Sequence, residues 1–92
     1  MIYTFKDKAT EALWQGRKSG YPVEILKRGL VKLAMLDAMT DLEQLKIPPS
    51  NRLEKLSGRR EGQYSIRINR KWRICFLWEN GMATEVEITD YH

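Results

Sequence analysis

A carboxylate, a phenol and the sequence's single imidazole stand side by side at Asp90, Tyr91 and His92. They follow an alternating run, residues 83–89, that reads as a β-strand. These groups suit cleavage of an RNA phosphodiester by the RNA's own 2′-hydroxyl. That reaction needs a base for the 2′ proton, cations for the charge on the phosphorane, and an acid for the departing 5′ oxygen. An imidazole with an ordinary pKa near ~6.5 can make either proton transfer at neutral pH. Arg73, with Arg67, is the candidate for holding developing charge. Asp90 can orient His92 or act as base, and Tyr91 can stack on a nucleobase or hydrogen-bond a phosphate. The competing reading is a frayed, inert chain end.

Charge distribution favours the polyanion chemistry. The net charge is +4 over 92 residues. Residues 51–73 carry eight Lys and Arg against Glu54 and Glu61, and residues 74–92 carry four acids and no Lys or Arg. Six of those eight cations are arginine, whose planar fork matches phosphate. Tyr64 and Trp72 are interleaved, as in nucleic-acid-binding surfaces. Lys55, Arg59, Arg60, Arg67, Arg70 and Lys71 are therefore candidate RNA contacts, and a solvated, solubilising face is the alternative. The lone His, the lone Cys and scattered carboxylates give no metal-ligand spacing. No cofactor is expected, and there is no glycine-rich phosphate loop. Cys75 falls in mid-strand and is expected to be packed and inert.

Ninety-two residues predict one domain spanning 1–92. A hydrophobic content of 42% argues against disorder. No run of 18 apolar residues predicts a membrane span. The first ten residues lack a signal-peptide core, and a single cysteine suits a reducing cytoplasm.

The elements that must position these groups follow from periodicity. Residues 2–5 read as an edge strand. A helix capped by Asp7 or Thr10 is predicted to run to about Arg17, and Ser19-Gly20 breaks it. Pro22 opens a longer helix, in which Val23, Leu26, Leu30, Leu33, Ala34 and Asp37 follow helical spacing and Leu30, Leu33 and Leu36-Asp37 close the apolar stripe. Thr40 and Glu43 resemble a capping box for a short turn at 41–45, and Pro48-Pro49 ends the helical half. Residues 53–56, 63–69, 72–79 and 83–89 read as strands. Asn80-Gly81 predicts a type I′ hairpin turn, and Asn69-Arg70-Lys71 a tight connection. The fold class is α+β, an N-terminal strand and two to three helices on an antiparallel sheet. One sheet face would carry Ile66, Ile68, Ile74, Phe76, Val86 and Ile88 under the helices. Arg67 and Arg73 would share the opposite, open face. Trp72 and Trp78 fall on the core face and are expected to pack rather than stack on bases.

The run LSGRREGQYSIRINRKWRICFLW at 56–78, with EITDYH at 87–92, resembles the HigB-type toxins of the RelE/ParE superfamily. MIYTFKDK and the segment KLAMLDAMTDLEQLKIPPSNRLEKL are similar to the same family, including its GraT-like branch. The resemblance covers essentially the whole chain. It implies a curved RelE-like sheet and a toxin that enters the ribosomal decoding site to cut translated mRNA. It also implies a HigA-type helix-turn-helix antitoxin, through which the pair binds operator DNA. Asp90, Tyr91 and His92 match the family's terminal catalytic trio. Arg73 matches the arginine near the scissile phosphate, and Arg60 the arginine of the REG turn. The chain departs from some members at Glu54 and Ser57, where they carry histidine and lysine. Glu54 or Asp90 then becomes the base and His92 the acid. Two alternatives stand beside this reading. One is a non-catalytic ribosome- or RNA-binding inhibitor. The other is a gyrase-directed toxin of the ParE branch, a branch that lacks the DYH ending.

Overall fold

Asp7 caps the first helix, α1 (Lys8–Trp14), its carboxylate accepting from the Thr10 amide at 3.0 Å. The helix stops short of the expected Arg17. Gly16 adopts φ +76°, and the Gly16 and Arg17 amides donate back to Leu13 and Ala12. This paired closure satisfies the last carbonyls and needs a left-handed residue, which glycine supplies without strain. The second helix, α2 (Val23–Ala38), starts one residue after Pro22, which sits in extended backbone at the cap.

The computed structural model describes residues 1–90. After α2, the chain crosses in two short 3₁₀ turns, Leu42–Lys46 and Pro49–Asn51. The capping box is Asp41 with Gln44, not Thr40 with Glu43, because Asp41 is the residue in extended backbone and Gln44 reaches back to its amide at 3.1 Å. Then come β1 (Glu54–Lys55), a 3₁₀ turn (Gly58–Arg60), β2 (Tyr64–Arg67), β3 (Arg73–Glu79) and β4 (Met82–Thr89). The four strands form an antiparallel meander in the order β1-β2-β3-β4. The expected α+β architecture stands, with two α-helices on this sheet.

Hydrophobic alternation delivers the core. Ile66 faces Ile74 and Tyr64 faces Phe76 across β2 and β3, while Ile74 faces Ile88 across β3 and β4. From α2, Ile25, Leu33 and Leu36 are fully buried above them. Each such side chain contributes about 1.5–3 kcal/mol. Trp72 and Trp78 pack against this core, as expected. The buried face of α2 includes Leu33 and Leu36 of the predicted stripe but adds Ile25 and Gly29, and Val23 is 84% exposed. Leu13, Ile68 and Ile88 lie within 3.8 Å of where a Cβ on Gly29 would be.

Two other departures matter. The expected N-terminal strand is reduced to two parallel bridges on β4, Ile2 with Ala83 and Phe5 with Val86. Between them β4 bulges, so that Cys75 faces Glu87 but Leu77 faces Thr84. The extra residue breaks the regular ladder that a continuous edge strand would need. Glu85 takes φ +51° at this bulge, and its amide donates to Thr4 Oγ1 at 2.9 Å. The bulge resets the alternation, so Ala83 and Val86 are both buried although three residues apart. The Asn80-Gly81 turn has φ +52° and +76°, the type I′ geometry read from sequence.

Candidate active site and basic face

The end of β4 is fixed from beneath. Buried Thr10 accepts from the Ile88 amide at 2.9 Å and pairs with the Tyr21 hydroxyl at 2.9 Å. Tyr21 in turn donates to the Ile88 carbonyl at 3.4 Å. Burial of the Tyr21 phenol raises its pKa, with the Thr10 hydrogen bond opposing. Thr89 then lies directly across from Arg73, and Asp90 follows at the rim.

On the sheet face opposite the helices, Arg73 is gripped from three sides. Its Nε donates to Ser65 Oγ at 2.8 Å and its Nη2 to the Arg52 carbonyl at 2.7 Å. Glu54 Oε1 stands 3.8 Å from the same Nη2. The Arg73 side chain is only 14% exposed, while Glu54 is half exposed. A guanidinium held in this way presents its remaining donors in a preset direction, which is the arrangement that electrostatic stabilisation of a phosphorane needs. Asp90 Oδ2 is 3.4 Å from Lys71 Nζ, and Lys71 also lies over the Trp72 ring.

Arg67 is the direct cross-strand partner of Arg73, so the two cations share this face as strand parity requires. The face is less open than expected, because charged side chains fold over it. Arg60 Nη1 reaches Glu87 Oε1 at 2.7 Å and Gln63 Oε1 at 3.1 Å. Lys6 approaches the same Glu87 oxygen at 3.9 Å. Beneath them Ser65 and Cys75 are fully buried. Lys55, Arg59 and Arg70 are exposed. Tyr91 and His92 lie outside the described residues. Among the described residues, no three His, Cys, Asp or Glu side chains gather into a metal-ligand group.

The structure pairs Arg73 with Glu54 and Asp90 with Lys71, and it engages Arg60 with Glu87 further along the face. Sequence reasoning missed Ser65, the Arg52 carbonyl and Glu87 as the groups that orient the arginines. Ser65 and Glu87 do share strand parity with Arg67 and Thr89, on the face of Arg73. Nothing local, however, marks Arg60, in a turn, as the partner of Glu87.

Burial pushes the Cys75 thiol up to about 11, with Arg60 and Arg73 opposing and Glu87 adding to the rise. The thiol is therefore protonated at neutral pH and is no nucleophile. The pH consequence has a definite sign. The unfolded thiol ionises near 9.0, so the folded state binds the proton more tightly. Its contribution to stability is complete below about pH 9 and is lost as pH rises towards 11. The difference in unfolding free energy between wild type and Cys75→Ala should fall by ~2 kcal/mol over that window. A difference that stays flat from pH 8 to 11 would contradict this environment.

The HigB-like toxin family model, described as RelE-like toxin of type II toxin-antitoxin system HigB, matches residues 3–92. Toxin HigB-1 of Vibrio cholerae serotype O1 is 39% identical over 85 residues, covering 90% of each chain. Endoribonuclease HigB of Proteus vulgaris is 36% identical over 93 residues, covering 100% of both. Among solved structures, a chain of the YoeB–YefM toxin–antitoxin heterotetramer from Staphylococcus aureus superposes with a TM-score of 0.57 at 19% identity. That match covers 100% of this chain and 98% of the other, a likeness of fold.

Proposed function

The chain belongs to the HigB family of RelE-like toxins of type II toxin–antitoxin systems, and from that premise we propose that it is a ribosome-dependent endoribonuclease that cuts translated mRNA. The full-length similarity to a protein named as an endoribonuclease supports the activity. The observation that carries the reading here is the braced Arg73 guanidinium beside Glu54, opposite the strand end that leads into Asp90.

The proposed reaction needs no metal. A base, Glu54 or Asp90, takes the 2′-hydroxyl proton. The 2′ oxygen bonds to phosphorus, and Arg73 holds the charge that gathers on the non-bridging oxygens. The bond from phosphorus to the 5′ oxygen then breaks, and His92 delivers the proton which that oxygen needs. The products are a 2′,3′-cyclic phosphate and a 5′-hydroxyl. Acid–base assistance of this kind is worth about 10²–10⁴-fold. Lys55, Arg59, Arg67, Arg70 and Lys71 supply the polyanion-binding surface around the site. A HigA-type helix-turn-helix antitoxin is the proposed partner, with operator DNA bound through it and the cytoplasm as the place of action.

The test is primer-extension mapping of message ends after brief induction. Discrete cuts within translated regions, absent from the same message with its ribosome-binding site deleted, are expected. Growth arrest without any such cuts would overturn the nuclease reading in favour of inhibition by occupancy.

A further inference from the structure

A second basic site lies next to the first. A groove of about 470 Å³ opens between α2 and the β2–β3 turn, lined by Arg28, Lys32, Arg67 and Arg70, with Ile68, Asn69 and Ser50 completing its walls. None of these lining residues is acidic or aromatic. Among the described residues, no carboxylate comes within ion-pair distance of any of the four cations. Arg28, Lys32 and Arg67 are braced by neutral acceptors instead. Arg28 donates to the Ile68 carbonyl at 3.5 Å, and Arg67 Nε to the Asn69 carbonyl at 3.0 Å. Lys32 donates to the side chain of Asn51, a fully buried amide that also donates to the Leu45 carbonyl.

Burial lowers the Lys32 pKa, and repulsion from Arg28 one turn away on α2 adds to that lowering. An entering anion relieves that repulsion. A groove without rings offers no platform for stacking bases, so the fitting ligand is backbone rather than nucleobase. Its position selects the backbone: Arg67 belongs to this groove and is also the cross-strand partner of Arg73.

We propose that this groove is a phosphodiester-binding subsite, with Arg28 and Lys32 of α2 joining Arg67 and Arg70 to hold RNA backbone phosphates on a track continuous with Arg73. The assignment rests on the nuclease reading for its RNA, and extends it to a helix that reading does not use. The phosphates can belong to the message being cut or to ribosomal RNA flanking it.

The double variant Arg28→Gln/Arg70→Gln separates these sources. Both side chains are exposed, so the unfolding midpoint should match wild type. Binding is measured across a range of salt to a free 2′-O-methyl oligonucleotide, which lacks the attacking hydroxyl, and to ribosomes carrying the same blocked message. Two lost phosphate contacts should lower the slope of log K against log salt by about 1.4 and weaken binding by ~10-fold or more. Arg28→Lys/Arg70→Lys should keep the slope. Loss with both probes assigns the groove to the message, and loss on ribosomes alone assigns it to ribosomal RNA. Unchanged slope and affinity with both probes, or equal loss in the lysine variant, would overturn the subsite. A wild type that binds the oligonucleotide yet cuts nothing would remove the nuclease reading while leaving the groove standing. A wild type that binds no RNA would overturn both.

Discussion

Arg73→Ala is expected to slow cleavage of a ribosome-bound message by about 10²–10³-fold, the usual cost of removing one preset donor from a developing oxyanion. The loss should fall on kcat rather than KM, because the phosphorane carries charge that the ground-state phosphate does not. Arg73→Lys tests the geometry. A lysine keeps the charge but cannot reach the Ser65 hydroxyl and the Arg52 carbonyl with separate donors of a planar fork. It should recover only part of the rate. Ser65→Ala removes one brace and acts as a positioning change: a several-fold loss in kcat, little in KM, and partial compensation at higher substrate concentrations absent. Glu54 is half exposed, so losing its ion pair with Arg73 should cost little stability. Matching unfolding midpoints would separate lost chemistry from lost fold. Single-turnover cleavage by Arg73→Ala at the wild-type rate would remove Arg73 from the site.

Why Arg73 was legible in sequence, and its supports were not, is a question of range. Period-2 alternation is local, so parity alone places Arg67 and Arg73 on one face, and the ladder makes them direct partners. Turn chemistry is equally local: Asn80-Gly81 tolerates two positive φ values, and the hairpin forms there. The brace of Arg73 is not local. Ser65 lies on the neighbouring strand, and the accepting carbonyl of Arg52 belongs to a residue with φ +45° just past a 3₁₀ turn. Neither backbone detail has a hydropathy signal. The Arg60–Glu87 pair spans 27 positions and depends on how a 3₁₀ turn folds over the sheet.

The missed part of the α2 face, Ile25 and Gly29, has the same origin. Hydropathy weights Val23 as core, yet Val23 starts the helix at an exposed end. Gly29 has almost no hydropathy and still sits buried, with Leu13, Ile88 and Ile68 around it. With Ile25 and Gly29 on the buried face, Arg28 and Lys32 line the groove beside Arg67. A basic site between helix and sheet edge was therefore invisible while the helix was oriented by apolar count alone. The bulge at Glu85 is a further case, since a glutamate at φ +51° is a conformation that local propensity argues against. The closing Tyr91 and His92, the most suggestive residues in the sequence, lie outside the described residues, so their case rests on chemistry.

That chemistry makes a sharp demand. His92→Ala is expected to reduce cleavage by about 10²–10⁴-fold, the span attributable to one general acid or base. With one histidine in the chain, no second imidazole can take over the proton. Three readouts should move together. Primer extension should show the cuts fading at every position, because the role proposed for His92 is on the leaving oxygen and not on the sequence read. Ribosome affinity should stay within about twofold, since phosphate binding rests on the arginines and lysines. The limb of the pH–rate profile due to the acid should disappear, leaving only the limb set by the carboxylate base. If Asp90 is that base, Asp90→Asn should remove the other limb, and Glu54→Gln should leave it in place. If Glu54 is the base, the two variants exchange behaviour. Full cutting by His92→Ala would transfer the acid role elsewhere. Lost cutting together with lost ribosome binding would mean that His92 docks the protein and does not move the proton.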